Sequence, residues 1–192
     1  MMERLVCVAI GYLFGLFQTA YIYGKLHGID IRNYGSGNAG TTNTLRVLGT
    51  KAGLIVLAGD ILKCILAIAA VRLLFAGGVH EDMYYLLAMY AALGAILGHD
   101  YPFYLGFKGG KGVLVAGGTI LAIQPVLIPF LAVIFLACLL PTGMVSLGSV
   151  TMAALYPVLT IIYGSLQGYA AGDMLVCAIG SGFMSGMVIY MH

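Results

Sequence analysis

Two polar segments rich in glycine and basic residues interrupt an otherwise apolar chain. The first, residues 28–53, reads GIDIRNYGSGNAGTTNTLRVLGTKAG, and the second, residues 98–112, reads GHDYPFYLGFKGGKG. Glycine allows turns in which successive N–H groups converge on one anion, and the planar guanidinium of arginine matches a phosphate. The residue types in these segments therefore predict binding of phosphorylated ligands.

The first segment offers glycines that shape the backbone and polar side chains that can donate to an anion. These candidates are Gly35, Ser36, Gly37, Asn38, Gly40, Thr42, Asn43 and Arg46. Residues 41–48 can form a short helix whose N-terminus adds partial positive charge. A flexible linker is the competing interpretation, but a linker would not require Asn, Thr and Arg so densely interleaved.

The second segment ends in five residues that combine flexibility and charge directly before an apolar run. They are Lys108, Gly109, Gly110, Lys111 and Gly112. They do not form a Walker A loop, which requires Gly-Lys-Ser/Thr and a further glycine upstream. ATP hydrolysis is therefore disfavoured, and a cationic anchor at the membrane surface is the competing interpretation.

Four further polar positions lie within or beside apolar runs. Lys63 can face an anionic substrate, or it can form an internal ion pair with Asp60 three residues earlier. His99 can act as a general base, or it can be a hydrogen-bonded structural residue. Ser146 and Ser149 can share one helix face, where small polar residues often only pack against neighbouring helices.

Composition indicates an integral membrane protein. Charged residues make up 8% of the 192 residues and hydrophobic residues 61%, whereas soluble domains carry about 25% charged residues. The formal net charge of +2 is too small to indicate a nucleic-acid partner. No two histidines and no two cysteines have metal-ligand spacing. We therefore predict no metal, no cofactor and no nucleic-acid partner.

Seven apolar runs predict seven transmembrane helices in a single all-α domain, residues 1–192. The runs lie near 5–23, 53–76, 83–98, 112–123, 126–140, 146–163 and 173–191. About 20 residues are needed to cross the hydrocarbon core, and the fourth run is shorter. Pro125 either starts a new helix or kinks one long helix, so the runs alone leave six or seven spans open.

The distribution of basic residues predicts the orientation. Six lie in or beside the two polar segments: Lys25, Arg32, Arg46, Lys51, Lys108 and Lys111. Only Arg4 and Arg72 lie near the opposite face. The positive-inside rule then places the polar segments in the cytoplasm, the N-terminus outside and, with seven helices, the C-terminus inside.

The chain resembles PlsY-type enzymes, the bacterial acyl-phosphate:glycerol-3-phosphate acyltransferases, over about residues 10–192. The resemblance rests on the two polar segments, on VSLGS at 145–149 and on the pattern from Asp60 to Lys63. It implies seven transmembrane helices in the bacterial cytoplasmic (inner) membrane, with the motifs at the cytoplasmic side. It also implies acyl transfer from acyl phosphate to the 1-hydroxyl of glycerol 3-phosphate, which gives lysophosphatidic acid and phosphate in phospholipid biosynthesis.

The resemblance also assigns roles by position. The residues expected to be catalytic are Ser36, Arg46, His99, Lys108 and His192, the last of which matches a family histidine. The residues expected to bind substrate are Gly35, Gly37, Asn38, Gly40, Thr42, Asn43, Lys63, Gly109, Gly110, Lys111, Gly112, Ser146 and Ser149. The expected partners are acyl phosphate, glycerol 3-phosphate and membrane lipid.

We expect direct attack of the hydroxyl on the acyl phosphate rather than an acyl-enzyme, because phosphate is already a good leaving group. His99 or a phosphate oxygen of the substrate can accept the proton, and we favour the substrate. The rival interpretation is a transporter of a phosphorylated solute, because charges such as Asp60 and Lys63 also suit a transport path. Against it, the sequence has no inverted repeat, and its polar motifs cluster at one face.

Overall fold

The computed structural model describes residues 2–75, 84–168 and 171–191. Within these residues the α-helices are α1 (Met2–Gly15), α2 (Thr19–Leu26), α3 (Thr41–Leu48), α4 (Thr50–Phe75), α5 (Tyr84–Asp100), α6 (Val113–Ile123), α7 (Ile128–Thr142), α8 (Val145–Leu166) and α9 (Ala171–Tyr190). Short 3-10 turns cover Ile31–Asn33, Phe103–Leu105 and Pro125–Leu127. The all-helical prediction is confirmed for the described residues.

Four segments are long and apolar enough to cross a membrane. They are Met2–Leu26, Thr50–Phe75, Pro125–Thr142 and Val145–Leu166, and two shorter apolar helices cover Val113–Ile123 and Cys177–Tyr190. Helix α7 buries only Leu131, whereas Phe130, Val133 and Leu140 of the same helix are more than half exposed. Such an apolar outer surface is stable in lipid and not in water.

The first apolar run forms two helices, where the sequence predicted one. Helix α1 ends at Gly15 and α2 begins at Thr19. The fully buried Gln18 occupies the break, and its Nε2 donates to the carbonyls of Gly98 and His99 at 3.2 and 2.9 Å. A side-chain amide thus supplies hydrogen bonds at the point where the helix is interrupted.

The question left open at Pro125 is answered by the backbone of the preceding residue. Gln124 leaves the helical region with φ −137° and ψ 61°, and it ends α6. Proline then starts a short 3-10 turn before α7, where its missing N–H costs no intrahelical bond. Residues 112–140 are therefore two helices and not one kinked helix.

Helix α5 lies at the centre of the bundle and packs against α1, α4, α6 and α9. Its contact with α1 is a close backbone approach through glycines. A Cβ atom added at Gly11 or Gly94 would overlap a backbone carbonyl of the facing helix. Small residues allow such approaches between membrane helices. The tight α1–α5 contact holds the end of α5, from which the second polar segment leaves.

Candidate functional site

The two predicted phosphate-binding segments lie at the same end of the bundle and are linked to each other by a hydrogen bond. The first, here called loop 1 (residues 27–40), follows α2, and the second, loop 2 (residues 101–112), follows α5. Arg32 in loop 1 donates from Nη1 to the Leu105 carbonyl in loop 2 at 3.1 Å. Met191, directly after α9, contacts loop 2, since the Tyr101 hydroxyl donates to its Sδ at 3.2 Å.

Loop 1 is built around the side chain of Asn43, which is 1% exposed. Its Oδ1 accepts from the Ser36 N–H at 2.8 Å. Its Nδ2 donates to three loop carbonyls, those of Ile31, Tyr34 and Asn38. Asn43, predicted to bind substrate, therefore has its polar atoms engaged with its own loop, and the structure supports a role in shaping that loop.

Glycine is required at two turns of loop 1. Gly35 has φ 58° and Gly37 has φ 74°, in the left-handed region that favours glycine. A Cβ atom at Gly35 would also overlap Oδ1 of Asn43. These turns leave the Ser36 side chain exposed.

The N-terminus of α3 has no side-chain cap. Gly40 precedes it in an extended conformation and supplies no capping atom. The Thr41 hydroxyl is buried and has no hydrogen-bond partner within the described residues. Thr42 is half-buried, and Arg46 lies exposed in the last turn without an ion pair in the described part of the chain. Uncapped amides at a helix N-terminus favour an anion.

Loop 2 folds back onto the end of α5. The Gly109 and Gly110 N–H groups donate to the carbonyls of Asp100 and His99, each at 3.0 Å. These two amides are thus used within the protein, so they are not available to a ligand as the sequence suggested. The N–H groups of Lys111 and Gly112 have no such bond among the described residues.

Helix α6 begins with a second uncapped N-terminus. Gly112 precedes it with φ 66° and no side-chain cap. Lys108 is exposed and Lys111 is half-buried, and neither forms an ion pair within the described ranges. The arrangement shares two features with α3, the uncapped amides and the preceding glycine, but Lys111 adjoins the α6 N-terminus whereas Arg46 lies in the last turn of α3.

Lys63 lies behind loop 2 in a buried polar cluster with Asp60 and His99. The Lys63 ammonium is 2.9 Å from Asp60 Oδ1, 2.7 Å from His99 Nδ1 and 3.0 Å from the Phe17 carbonyl. Its side chain is 3% exposed. An ammonium has three N–H donors, and three acceptors surround it here. The geometry supports the internal ion-pair interpretation of Lys63 rather than the substrate-binding one.

Three predicted site residues remain: Ser146, Ser149 and His192. Ser146 is exposed near the start of α8. Ser149 is buried and donates to the Val145 carbonyl at 2.9 Å, a bond internal to its helix. His192 lies outside the described residues, so its catalytic role stays a prediction.

Sequence reasoning missed the pair that connects the loops. Asp30 accepts from three nitrogens of Arg32, and Arg32 also reaches loop 2. These bonds, with the charges of Arg32 and Lys25, hold the pKa of Asp30 at about 2. Acidic and basic residues two apart before a glycine-rich turn were a usable signal, but the bond to Leu105 was not visible in the sequence.

Fold and site together define a multi-pass membrane protein with two linked anion-binding helix ends at one end of its bundle. The family model described as "Glycerol-3-phosphate acyltransferase" matches residues 5–192. The chain belongs to this family, which includes the PlsY enzymes, and it is a bacterial membrane acyltransferase.

Curated relatives agree with this membership. "Glycerol-3-phosphate acyltransferase 2" of Bacillus cereus is 40% identical over 184 residues, which cover 95% of this chain and 84% of that protein. "Glycerol-3-phosphate acyltransferase" of Exiguobacterium sibiricum is 45% identical over 151 residues, which cover 78% of this chain and 69% of that protein.

Two solved structures share the fold. Both are of PlsY, described as an integral membrane glycerol 3-phosphate acyltransferase. The glycerol 3-phosphate form has a TM-score of 0.77 at 31% identity and covers 98% of this chain and 88% of that chain. The lysophosphatidic acid form has a TM-score of 0.76 at 30% identity, with coverages of 98% and 87%.

Proposed function

We propose that this protein transfers a fatty acyl group from acyl phosphate to the 1-hydroxyl of sn-glycerol 3-phosphate. The products are lysophosphatidic acid and inorganic phosphate. The observation that carries the proposal is the pair of uncapped N-termini, of α3 and α6, each accompanied by cations without ion pairs in the described chain. Two anion sites on bonded loops suit a reaction between two phosphorylated molecules. The PlsY forms with glycerol 3-phosphate and lysophosphatidic acid support it.

Each loop receives one phosphate in this proposal. Loop 1 and the α3 N-terminus, with Ser36 and Arg46, take the phosphate of the acyl donor. Loop 2 and the α6 N-terminus, with Lys108 and Lys111, take glycerol 3-phosphate. The acyl chain lies between apolar helices in the lipid. Holding both reactants in place converts a bimolecular attack into an effectively intramolecular one, which lowers the barrier by up to about 7–11 kcal/mol.

The transfer is a direct substitution at the acyl carbonyl. The 1-hydroxyl oxygen of glycerol 3-phosphate forms the new ester bond, and the bond between the carbonyl carbon and the phosphate oxygen breaks. Inorganic phosphate leaves with that electron pair. Arg46, Lys108 and the helix N-termini stabilise the negative charge that grows on the carbonyl oxygen and the leaving phosphate.

The hydroxyl proton goes to a phosphate oxygen of the bound substrate. Among the described side chains, His99 is the candidate base named from the sequence, and its Nδ1 is engaged by the Lys63 ammonium at 2.7 Å. A base must reach the proton it removes. The substrate phosphate lies beside the reacting hydroxyl and satisfies that condition without a dedicated side chain.

The proposed membrane arrangement has seven spans, with α1 and α2 together forming the first and α4 to α9 the others. The N-terminus is outside and the C-terminus is cytoplasmic, because six basic residues lie in or beside the two loops. The membrane is the bacterial cytoplasmic (inner) membrane, and the active site faces the cytoplasm. Cysteines introduced singly at Ser36 and Leu166, in a variant without native cysteines, should then react with impermeant maleimide from opposite sides.

Purified protein in detergent tests the activity directly. With palmitoyl phosphate and labelled glycerol 3-phosphate, lysophosphatidic acid and phosphate should appear in equal amounts. Phosphate release should depend on glycerol 3-phosphate. Uptake of labelled glycerol 3-phosphate into vesicles without product formation would instead support the transporter interpretation. Absence of both products from folded protein would overturn the proposal.

A further inference from the structure

We propose that His99 is a catalytic residue that acts as a neutral hydrogen-bond donor to glycerol 3-phosphate through Nε2–H. Lys63 and Asp60 are the positioning residues that hold it in that form. The inference rests on the function proposed above and specifies how one side of that site works. It assigns to His99 the opposite role from that of a general base.

The first step is the protonation state of Lys63. Its nitrogen lies within 3.0 Å of the Asp60 carboxylate, the Phe17 carbonyl and His99 Nδ1. The carbonyl and the carboxylate can only accept hydrogen bonds. The Asp60 carboxylate at 2.9 Å is the counter-ion of an ammonium, so the third N–H of Lys63 points to Nδ1.

The second step is the tautomer of His99. Because Nδ1 accepts a hydrogen bond from the ammonium, it carries no proton, and a neutral imidazole then carries its proton on Nε2. Among the residues that the structure describes, the other charged group facing the ring is Asp60, whose Oδ1 lies 4.0 Å from Nδ1 beside the lysine. The ring thus has no free lone pair with which to take a proton from a substrate hydroxyl.

The third step is the position of Nε2. Gly110 lies directly in front of it, since a Cβ atom at Gly110 would overlap Nε2. Within the described residues, no hydrogen bond to Nε2 is formed, and the His99 side chain is 5% exposed. Nε2 is nevertheless not sealed off, because it keeps a small solvent-accessible area. An acceptor on a ligand in loop 2 can therefore reach it.

The surroundings of Nε2 select an anionic oxygen as this acceptor. Loop 2 carries Lys108, Lys111 and the uncapped α6 N-terminus. The Gly109 and Gly110 amides already donate to α5 carbonyls and cannot donate to a ligand. Nε2–H supplies a hydrogen-bond donor in their place. A hydrogen bond from Nε2–H to a charged phosphate oxygen is stronger than one to water.

Two substitutions separate the donor from the rest of the ring. In His99→Asn the amide oxygen can take the place of Nδ1 towards Lys63, but nothing replaces Nε2. In His99→Gln the longer amide can place an N–H near Nε2. We expect kcat/KM for glycerol 3-phosphate to fall about tenfold or more in His99→Asn and to stay within about threefold in His99→Gln. Wild-type turnover, measured alongside, reports on the proposed function separately.

The outcomes are distinct provided that both variants unfold at temperatures near that of the wild type. Equal activity of His99→Asn and wild type would overturn the donor role. Equal loss in both variants would indicate that the imidazole itself transfers a proton, which also overturns it. Gly110→Ala, which fills the space before Nε2, should weaken use of glycerol 3-phosphate as His99→Asn does.

A spectroscopic measurement tests the tautomer even if a variant fails to fold. In protein labelled with nitrogen-15 at histidine, His99 should show a protonated Nε2 and an unprotonated Nδ1 at pH 7. In Lys63→Met the donor to Nδ1 is lost, and both tautomers should be populated. An imidazolium or a protonated Nδ1 at His99 in the wild type would overturn the inference whatever the kinetics.

Discussion

The cations of this protein occupy two environments that differ in what their charges meet. Lys63 lies inside the bundle with three acceptors around its ammonium. Arg46 and Lys108 lie exposed on the loops and form no ion pair within the described residues. A paired buried charge supports the fold, whereas an unpaired exposed charge remains available to a phosphate. The comparison teaches that residue type alone does not identify a substrate contact.

The largest effect is expected when the buried pair loses one partner. Lys63→Ala leaves the Asp60 carboxylate buried without its cation, which destabilises a protein by about 3–5 kcal/mol. Denaturant unfolding in detergent measures this change. Lys51→Ala, at an exposed lysine in the first turn of the same helix, is the matched control and should leave stability unchanged. A Lys63→Ala variant as stable as the control would erase the distinction between the two environments.

A second loss of stability is expected at the glycine contact that holds α5 in place. Gly94→Ala puts a methyl group onto the Val8 carbonyl, and overpacking of this kind costs about 1–3 kcal/mol. Gly182→Ala is the control, because in the described part of the chain no atom of another helix lies within 4 Å of the added Cβ. Thermal unfolding of both variants measures the loss of stability. Equal unfolding midpoints would contradict the close approach of α1 and α5 at Gly94.

The exposed cations should affect catalysis and not folding. Arg46→Ala and Lys108→Ala should each lower kcat/KM by at least about tenfold, or about 1.4 kcal/mol of transition-state stabilisation. Their unfolding midpoints should match that of the wild type, since neither side chain has an ion pair in the described structure. Kinetics against both substrates provide the measurement, with Lys51→Ala again as the control. Unchanged kinetics in both variants would remove the anion-binding argument.

The smallest effect is expected at the Asp30–Arg32 pair. The pKa of Asp30 lies at about 2 in the folded protein, below its ordinary value of 3.8. A lowered folded pKa stabilises the protein above pH 3.8, and that stabilisation is lost as pH falls from about 4 to 2. Unfolding midpoints at pH 5 and pH 3 should differ more for the wild type than for Asp30→Asn. Equal differences would show that Arg32 does not depend on this carboxylate.

The sequence predicted the helices well because crossing a bilayer imposes long apolar runs. Six of the seven runs correspond to single helices, with ends displaced by a few residues. The first run divides at Gln18 because this side chain bonds to carbonyls of α5, a helix 80 residues away. Periodicity carries no information about such a distant partner.

The sequence predicted where the candidate site lies, but it did not predict which residues are free for substrate and which shape or join the loops. Loop 1 and loop 2 were recognisable because glycine, lysine and arginine cluster between apolar runs. Asn43 was grouped with the substrate contacts, yet its amide bonds to its own loop. Arg32 was counted only as a positive charge, although it joins the two loops.

The sequence by itself determined that the chain is helical, belongs in a membrane and carries two segments suited to phosphate. Those properties follow from composition and local spacing, which are legible along the chain. Only the tertiary structure decided which charges are free, because an ammonium is neutralised by whatever acceptors folding brings within about 3 Å of it. Lys63 and Lys108 are the same residue type, and their surroundings separate them.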